Sequence, residues 1–226
     1  MKRSRYLLGA LLLAMSACTP NIEDFTPGPG SADFSKYVAL GNSLTAGFAD
    51  GALYRSGQEQ SMPALLAMQF STAGGGAFIQ PLMVDEKGLG NRLMLGTSMT
   101  CLGTPSFGPV PYPGNVDPGN LTWIGDQGPF NNMGVPQARV SHLLAPGYGL
   151  LNPLFGRFAS DPQTASILQD ATDMEPSFFT LWIGGNDVLG YAVSGGEQAG
   201  DSVTDPTMYA FYLDLLLDGL TAGGAK

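Results

Sequence analysis

The chain of 226 residues is 44% hydrophobic and 13% charged, with a formal net charge of −9, which predicts one globular domain with a sizeable core. The acidic balance excludes nucleic acid as an expected partner, because nucleic-acid binding relies on clustered Lys and Arg side chains. One histidine and two cysteines are too few for the ligand sets that zinc prefers, so we predict no metal site and no cofactor.

The amino-terminal residues 1–18 have the pattern of a bacterial lipoprotein signal peptide. Basic residues precede a short apolar run at 6–15, and small residues precede Cys18. The run is shorter than the roughly 20 residues that span a bilayer, so we expect cleavage and acylation of Cys18. The alternatives are a membrane helix or an ordinary signal with an incidental cysteine. The pattern predicts a lipid-anchored protein of the cell envelope, at the outer membrane.

A tether and a single domain are expected after the signal. Residues 19–33 are rich in proline and glycine and poor in apolar side chains, which predicts a flexible, extended segment. The domain is expected to occupy residues 34–226. With Cys18 acylated, Cys101 would be the only thiol left, so the mature chain would have no internal disulfide.

The first predicted strand ends in a serine loop. Four apolar residues, 37–40, run directly into residues 41–47 (GNSLTAG). Small residues let the chain bend sharply there, and Ser43 at the carboxyl end of a buried strand is a candidate nucleophile. A simpler interpretation is that Ser43 caps a short helix between two glycine turns. The loop lacks the Lys-Ser/Thr of a phosphate loop, so no nucleotide is expected.

A helix and a long irregular insertion are predicted next. Residues 63–70 favour a helix with proline in its first turn and a glycine run after it. Residues 77–129 show little periodicity, and long irregular segments in compact domains are usually functional covers. We predict that this insertion covers the cleft, with an apolar lining of Phe78, Phe107, Tyr112 and Trp123. The alternative is that these aromatic side chains form a small satellite core.

Two further loops carry glycine beside polar residues. The segment 131–136 (NNMGVP) is centred on Gly134, and the apolar run 178–183 leads directly into residues 184–187 (GGND). Because ligands bind at the carboxyl edge of a parallel sheet, we expect Ser43 and Asn186 to face one cleft. Taken alone, the 184–187 block is equally consistent with a tight turn and an Asx cap.

Two helices are predicted in the second half of the chain. Asp161-Pro162 is expected to open a short helix through Leu168, and Asp205-Pro206 a clearer one. The second shows a helical apolar stripe that we expect to be core: Met208, Phe211, Tyr212, Leu215 and Leu216.

The order of the serine loop, the Gly134 loop and the 184–187 block resembles that of SGNH/GDSL hydrolases, from about residue 37 to the end. The resemblance implies an α/β fold, a three-layer α/β/α sandwich with a parallel flavodoxin-like sheet, here incomplete and with a long irregular insertion. It implies Ser43 as the catalytic nucleophile. The oxyanion hole would come from the backbone amides of Ser43 and Gly134 and the side-chain amide of Asn186. The function implied is hydrolysis of a small-molecule, lipid or glycan ester.

One part of the family pattern is missing. The family places an Asp-x-x-His after the asparagine block, and this sequence has no such motif. The only histidine, His142, precedes Asn186 on a predicted helix, where a structural role is favoured over that of a substitute base. We therefore expect the sequence to be the amino-terminal part of a hydrolase. Its strand at 178–183 would be an exposed apolar edge, which predicts poor solubility.

A second functional class stays open. Serine is a weak nucleophile without an adjacent base to accept its proton, and that base is lacking here. The alternative is a non-catalytic surface lipoprotein that uses the cleft to bind a lipid or an acylated glycan. Ester turnover that is lost in Ser43→Ala would favour the enzyme, and saturable binding without turnover would favour the binding protein.

Overall fold

A computed structural model of the chain describes residues 27–196 and 202–226. The predictions for the signal at residues 1–18 and for Cys18 lie outside this part, as does most of the predicted tether. The described residues form a mixed α/β structure with a parallel central sheet, which confirms the α/β class.

The strands and helices of the described part alternate along much of the chain. The strands are β1 (Tyr37–Gly41), β2 (Ala52–Leu53), β3 (Leu89–Gly90), β4 (Leu93–Met99), β5 (Pro105–Pro111), β6 (Asn132–Gly134) and β7 (Phe178–Trp182). The α-helices are α1 (Ser43–Ala46), α2 (Arg55–Glu59), α3 (Met62–Ser71), α4 (Pro153–Gly156), α5 (Ile167–Thr172), α6 (Asn186–Val193) and α7 (Pro206–Thr221). Short 3-10 helices lie at Pro118–Leu121, Gly125–Gln127, Val140–Leu144 and Tyr148–Leu150.

The central sheet has the strand order β6-β1-β7, with both pairs parallel. Every residue of β1 is buried, as its apolar sequence predicts. Gly41 at the end of β1 stands opposite Gly134 on one side and Trp182 on the other. The three strands therefore end at the same edge, so the loops that follow them start side by side.

Successive side chains of β1 enter two different clusters, because a strand alternates its side chains between faces. Val38 and Leu40 pack in the larger cluster, which includes Leu216 of α7. Tyr37 and Ala39 pack in a smaller cluster with α3 and several aromatic rings. The centre of the sheet is thus covered on both faces.

Two helix predictions are confirmed in position. Helix α3 begins after Ser61, whose hydroxyl accepts the Ala64 N–H at 3.4 Å. Helix α7 begins after Asp205, whose Oδ1 accepts the Thr207 N–H at 2.9 Å. In both helices proline occupies the first turn, where a missing N–H has no cost.

The predicted start of one further helix and the predicted buried face of α7 are wrong. The helix expected from Asp161 begins at Ile167, with Ser166 as its cap, because Asp161 instead closes a turn by accepting the Gln163 N–H at 2.8 Å. In α7 the buried positions are shifted from the predicted stripe. Leu216 is buried as expected, but three other side chains of the predicted stripe are exposed: Met208, Phe211 and Leu215.

The insertion at residues 77–129 is tied down by buried polar side chains. Gln58 and Arg157 both donate to Pro81 O, at 2.9 and 2.6 Å, and Asn120 Oδ1 accepts the Val84 N–H at 2.8 Å. Burial lowers the pKa of Arg157 to about 10. These bonds fix a segment that has little secondary structure of its own.

The outer edge of β7 is only partly covered. Lys226 donates its N–H to Ser177 O at 3.2 Å and accepts the Phe179 N–H at 2.9 Å, which is the bond pattern of a parallel ladder. Further along, the outward backbone groups of Leu181 have no strand partner among the described residues. The predicted exposed edge is present over that stretch. Within residues 27–196 and 202–226, no helix is long and apolar enough to cross a membrane.

Candidate functional site

Ser43 is the first residue of α1, directly beyond the end of β1. The cap of this helix is Asn42, whose Oδ1 accepts the Leu44 N–H at 3.0 Å, so the alternative in which Ser43 is the helix cap is wrong. Gly47 ends the helix with φ +85°, where a Cβ would collide with the backbone of α2. Ser43 is half-buried, and its hydroxyl has no hydrogen-bond partner in the described part of the chain.

Gly134 ends β6 against the backbone of α1. A Cβ at this position would lie 2.2 Å from the Ala46 nitrogen, so only glycine permits the close approach. The Gly134 N–H donates to Asn132 Oδ1 at 3.0 Å, and Asn132 Nδ2 donates to Thr45 O at 3.0 Å. The Gly134 loop therefore holds the serine helix in place, and its amide is already engaged by Asn132.

Asn186 begins α6 after the two glycines that follow β7. Its Nδ2 donates to Ala138 O at 2.8 Å, which occupies one of the two amide hydrogens. The next residue, Asp187, is buried and accepts the Val140 N–H at 3.0 Å. Both side chains thus fix the segment 138–140, which follows the Gly134 loop.

The loops after β1, β6 and β7 meet at the carboxyl edge of the sheet. Asn42 donates its N–H to Trp182 O at 3.2 Å, and Gly41 O accepts the Val135 N–H at 2.9 Å. On the β7 side, a Cβ on Gly185 would lie 3.6 Å from Asn42 Nδ2. The serine loop therefore contacts both neighbouring loops, as the sequence predicts from the order of the strands.

An open cleft adjoins this edge beside Asn186. It is lined by Gln137, Arg139, Asn186, Leu189, Gly190 and Val193. No hydrogen bond joins Ser43, Gly134 and Asn186 to one another within the described residues. The three predicted residues lie in loops at one edge of the sheet, but of the three only Asn186 lines this cleft.

Gln137 was not predicted from the sequence. Its φ is +67°, the left-handed region that glycine favours, and it lies in the cleft wall next to Ala138. Its backbone N–H has no hydrogen-bond partner among the described residues, whereas the Gly134 N–H has one. No glycine or asparagine occupies the position, so no residue type there predicted this conformation.

His142 has a structural environment. Its Nδ1 accepts the Arg139 N–H at 3.2 Å, and its ring stacks on Tyr148 with a centroid distance of 4.6 Å. Burial, with a smaller contribution from the Arg139 charge, lowers the pKa of His142 below its usual value, while Asp187 opposes the shift. The imidazole caps a 3-10 helix, and no hydrogen bond joins it to the Ser43 hydroxyl among the described residues.

The four aromatic residues predicted to line a pocket lie in four different settings. Phe78 stacks on Tyr37 in the smaller cluster, with 5.3 Å between the ring centroids, as the alternative of a small satellite core predicts. Tyr112 covers the guanidinium of Arg92 at 4.1 Å. Trp123 donates its indole N–H to Ala159 O at 3.0 Å, and Phe107 is exposed on the β4–β5 hairpin. The shared apolar lining predicted from the sequence is therefore wrong.

The described residues contain no group of three or more His, Cys, Asp or Glu side chains placed to hold a metal ion. In comparisons with known proteins, no family model, no curated protein and no solved structure matches this chain.

Proposed function

We propose that the protein is a serine ester hydrolase of the SGNH/GDSL type, with Ser43 as the nucleophile at the carboxyl edge of the sheet. The observation that supports this most is the meeting of three loops, from β1, β6 and β7, at a single edge. An unpaired hydroxyl at the end of the central strand is the group that such a reaction needs. The proposed architecture is a three-layer α/β/α sandwich, of which the described helices on both faces of β1 are part.

Negative charge develops on the substrate carbonyl oxygen when a hydroxyl attacks it, so fixed N–H donors around that oxygen stabilise the transition state. The proposed donors are the Ser43 amide, the Gly134 amide and the Asn186 side chain. Asn186 retains a second amide hydrogen beyond the one given to Ala138. The Gly134 amide would have to leave Asn132 first. The N–H of Gln137 has no partner among the described residues and Gln137 lines the cleft with Asn186, so it is an alternative backbone donor.

A general base is the open part of this proposal. The one imidazole of the chain, at His142, is engaged by Arg139 and Tyr148. This favours a second candidate function, in which a lipid-anchored envelope protein binds a lipid or an acylated glycan in the cleft without hydrolysing it. Both candidates share the proposed acylation of Cys18 and placement at the outer membrane.

Turnover of p-nitrophenyl esters by the full chain tests the hydrolase. Activity that is lost in Ser43→Ala and reduced on the order of 10²-fold or more in Asn186→Ala supports it, because loss of one oxyanion donor has an effect of that size. Ser56→Ala is the matched control, since Ser56 lies in α2, outside the proposed site, and donates its hydroxyl to Glu86. Saturable binding of an acylated ligand with no turnover would instead support the binding protein.

A further inference from the structure

The β4–β5 hairpin stands apart from the rest of the described structure. Its two strands pair over seven positions, from Leu93 opposite Pro111 to Met99 opposite Pro105, but the hairpin makes no extensive contact with any other described helix or strand. Its base is held firmly. Leu93 donates to Asp50 O at 2.8 Å, and the guanidinium of Arg92 lies 3.5 Å from the centre of the Tyr54 ring. The hairpin therefore projects as an anchored arm.

One face of this hairpin is almost entirely apolar. Side chains of directly paired residues in an antiparallel ladder lie on the same face, and every second residue joins them. The face that contains Phe107 also carries Leu93, Leu95, Thr97, Met99, Pro105, Pro109 and Pro111. Thr97 is its only polar member. Phe107 is 72% exposed and Leu102, in the turn, is 88% exposed.

The hairpin carries no charge that would oppose transfer from water. Residues 93–116 contain no Asp, Glu, Lys, Arg or His. The turn pairs its own polar groups: Thr100 donates its N–H to Thr104 O at 2.9 Å, and the two hydroxyls bond each other at 2.8 Å. Because charged side chains make lipid contact unfavourable, their absence favours contact of this arm with lipid at the level of the headgroups, where the outward backbone groups of the two strands still reach water.

Pairing with another protein strand is disfavoured along β5. Proline occupies positions 105, 109 and 111, which are alternate residues and so point their nitrogen atoms in the same direction. Since proline has no N–H, these nitrogens must face away from the ladder with β4. Among the outward-facing residues 105, 107, 109 and 111, only Phe107 has a backbone N–H that another strand could use. A second copy of the chain therefore has little with which to extend the sheet from its β5 edge.

We propose that the apolar face of the β4–β5 hairpin docks into the headgroup region of a bilayer of zwitterionic lipids, which carry no net charge. A neutral arm on a chain of net charge −9 fits such a surface better than an anionic one. The inference rests on the proposed function only for the acylation of Cys18, which keeps a bilayer within reach. A segment of the length of residues 19–33 can reach at most about 50 Å, so acylation at Cys18 would keep the domain close to the bilayer.

Exposed Cys101 in the hairpin turn allows a direct test. The acylated full chain, in which Cys101 is the only free thiol, is labelled there with an environment-sensitive fluorophore and bound to phosphatidylcholine vesicles, and quenching by aqueous iodide is measured. We expect blue-shifted emission and protection from iodide. Phe107→Asp should abolish the protection, because a charge on the docking face lowers partitioning on the order of tenfold or more. Leu151→Asp, at a side chain that is 83% exposed outside the hairpin, is the control and should leave protection unchanged.

Full quenching of the wild-type label on vesicles, or no effect of Phe107→Asp, would overturn the proposal. Protection that rises with the protein-to-lipid ratio would show that a second copy covers the hairpin, which also overturns it. A Leu102→Asp variant repeats the test at a position where unfolding is not expected, because the side chain is almost wholly in solvent. The readout needs no turnover, so a Ser43→Ala chain should give the same protection, and loss of ester hydrolysis would not affect the result.

Discussion

Asp187 and Val140 are joined across 47 residues of sequence by a buried hydrogen bond of 3.0 Å between the carboxylate Oδ2 and the backbone N–H. The other oxygen of Asp187 accepts the Thr204 hydroxyl at 2.7 Å. Its neighbour Asn186 donates to Ala138 O in the same segment. The first turn of α6 therefore decides where residues 138–140 lie, and with them the adjoining Gln137.

Asp187→Asn should destabilise the fold. The amide oxygen can still accept the Val140 N–H, and the Thr204 hydroxyl can turn to accept from the NH2 group, but both bonds to the carboxylate are replaced by weaker neutral ones. We expect the free energy of unfolding to fall by about 1–3 kcal/mol, measured from urea denaturation midpoints. Asp214→Asn, at an exposed position of α7, should change it by less than about 0.5 kcal/mol. Equal effects of the two substitutions would contradict the structural role of Asp187.

Gln137→Gly should leave the protein as stable or make it more stable by up to about 1 kcal/mol. Glycine relieves the strain of the left-handed conformation, which exceeds the entropy that it adds to the unfolded chain. The same exchange at Gln69, an exposed position within α3, should destabilise by about 1 kcal/mol. Thermal melts of the two variants check this. A destabilised Gln137→Gly protein would mean that the side chain itself has a stabilising contact.

Asp187 and Gln137 both show which structural features local sequence patterns do not predict. The strands and their loops were predictable because apolar runs end directly in glycine, and that places Ser43 and Asn186 at one edge. The partner of Asp187 is 47 residues away, and no local pattern specifies it. The orientation of α7 was missed because apolar residues occupy most of its circumference, so the helical period defined no single buried face.

The prediction of a helix that begins at Asp161-Pro162 was wrong for a different reason. Aspartate before proline is a good helix cap, but the same carboxylate also closes an Asx turn, and here it does so by accepting the Gln163 N–H. The true cap, Ser166, lies a few residues further on. Local chemistry was correctly identified and assigned to the wrong element.

His142 should make stability depend on pH in the mildly acidic range. Its pKa is lowered in the folded protein by burial, so below about pH 6.5 the unfolded chain takes up a proton more readily than the folded one. Stability is therefore retained above that pH and falls as the pH drops through this range. His142→Gln, whose side-chain oxygen can still accept the Arg139 N–H, should weaken that dependence between pH 5 and 6.5.

Because the chain has a single histidine, its imidazole resonance can be followed by NMR without assignment of others. An apparent pKa at or above the ordinary value would contradict the buried setting. The same variant separates structure from chemistry: any ester hydrolysis should be unchanged in His142→Gln. A loss of turnover with intact folding would make His142 the missing base.

Tyr37 should make the fold sensitive to alkali. Burial raises the pKa of its phenol to about 12, with the hydrogen bond to Thr180 opposing the shift. The contribution of the neutral Tyr37 phenol to the free energy of unfolding is complete below the unfolded pKa of about 10. It is lost as the pH rises toward 12, because in that interval the phenol ionises freely only in the unfolded chain. Comparing wild type with Tyr37→Phe isolates this group from other residues that titrate at high pH.

At pH 7 the phenylalanine variant should be less stable by about 1 kcal/mol, the usual contribution of one hydrogen bond. Above pH 10 the difference should shrink and then reverse, since the variant has no phenol to ionise. Denaturation midpoints at pH 7, 9 and 11 measure the trend. A constant difference across that range would show that the Tyr37 hydroxyl is exposed to water in the folded protein.

The outer edge of β7 should cause the chain to self-associate. Beyond the ladder with Lys226, the outward N–H and C=O of Leu181 are free to pair with another strand, and the adjacent Trp182 is 48% exposed. Unprotected apolar edges of this kind pair between molecules. We expect concentration-dependent oligomers of the detergent-free chain in sedimentation velocity experiments. Trp182→Lys should shift the distribution toward monomer, because a lysine at an edge disfavours strand addition.

Leu151→Lys is the matched control for that experiment. It adds the same charge at an exposed leucine outside the sheet, so any gain from charge alone would appear in both variants. If only Trp182→Lys reduces association, the β7 edge is the interface. A wild-type chain that sediments as a monomer at every concentration and melts cooperatively would instead mean that the two backbone bonds to Lys226 already protect this edge.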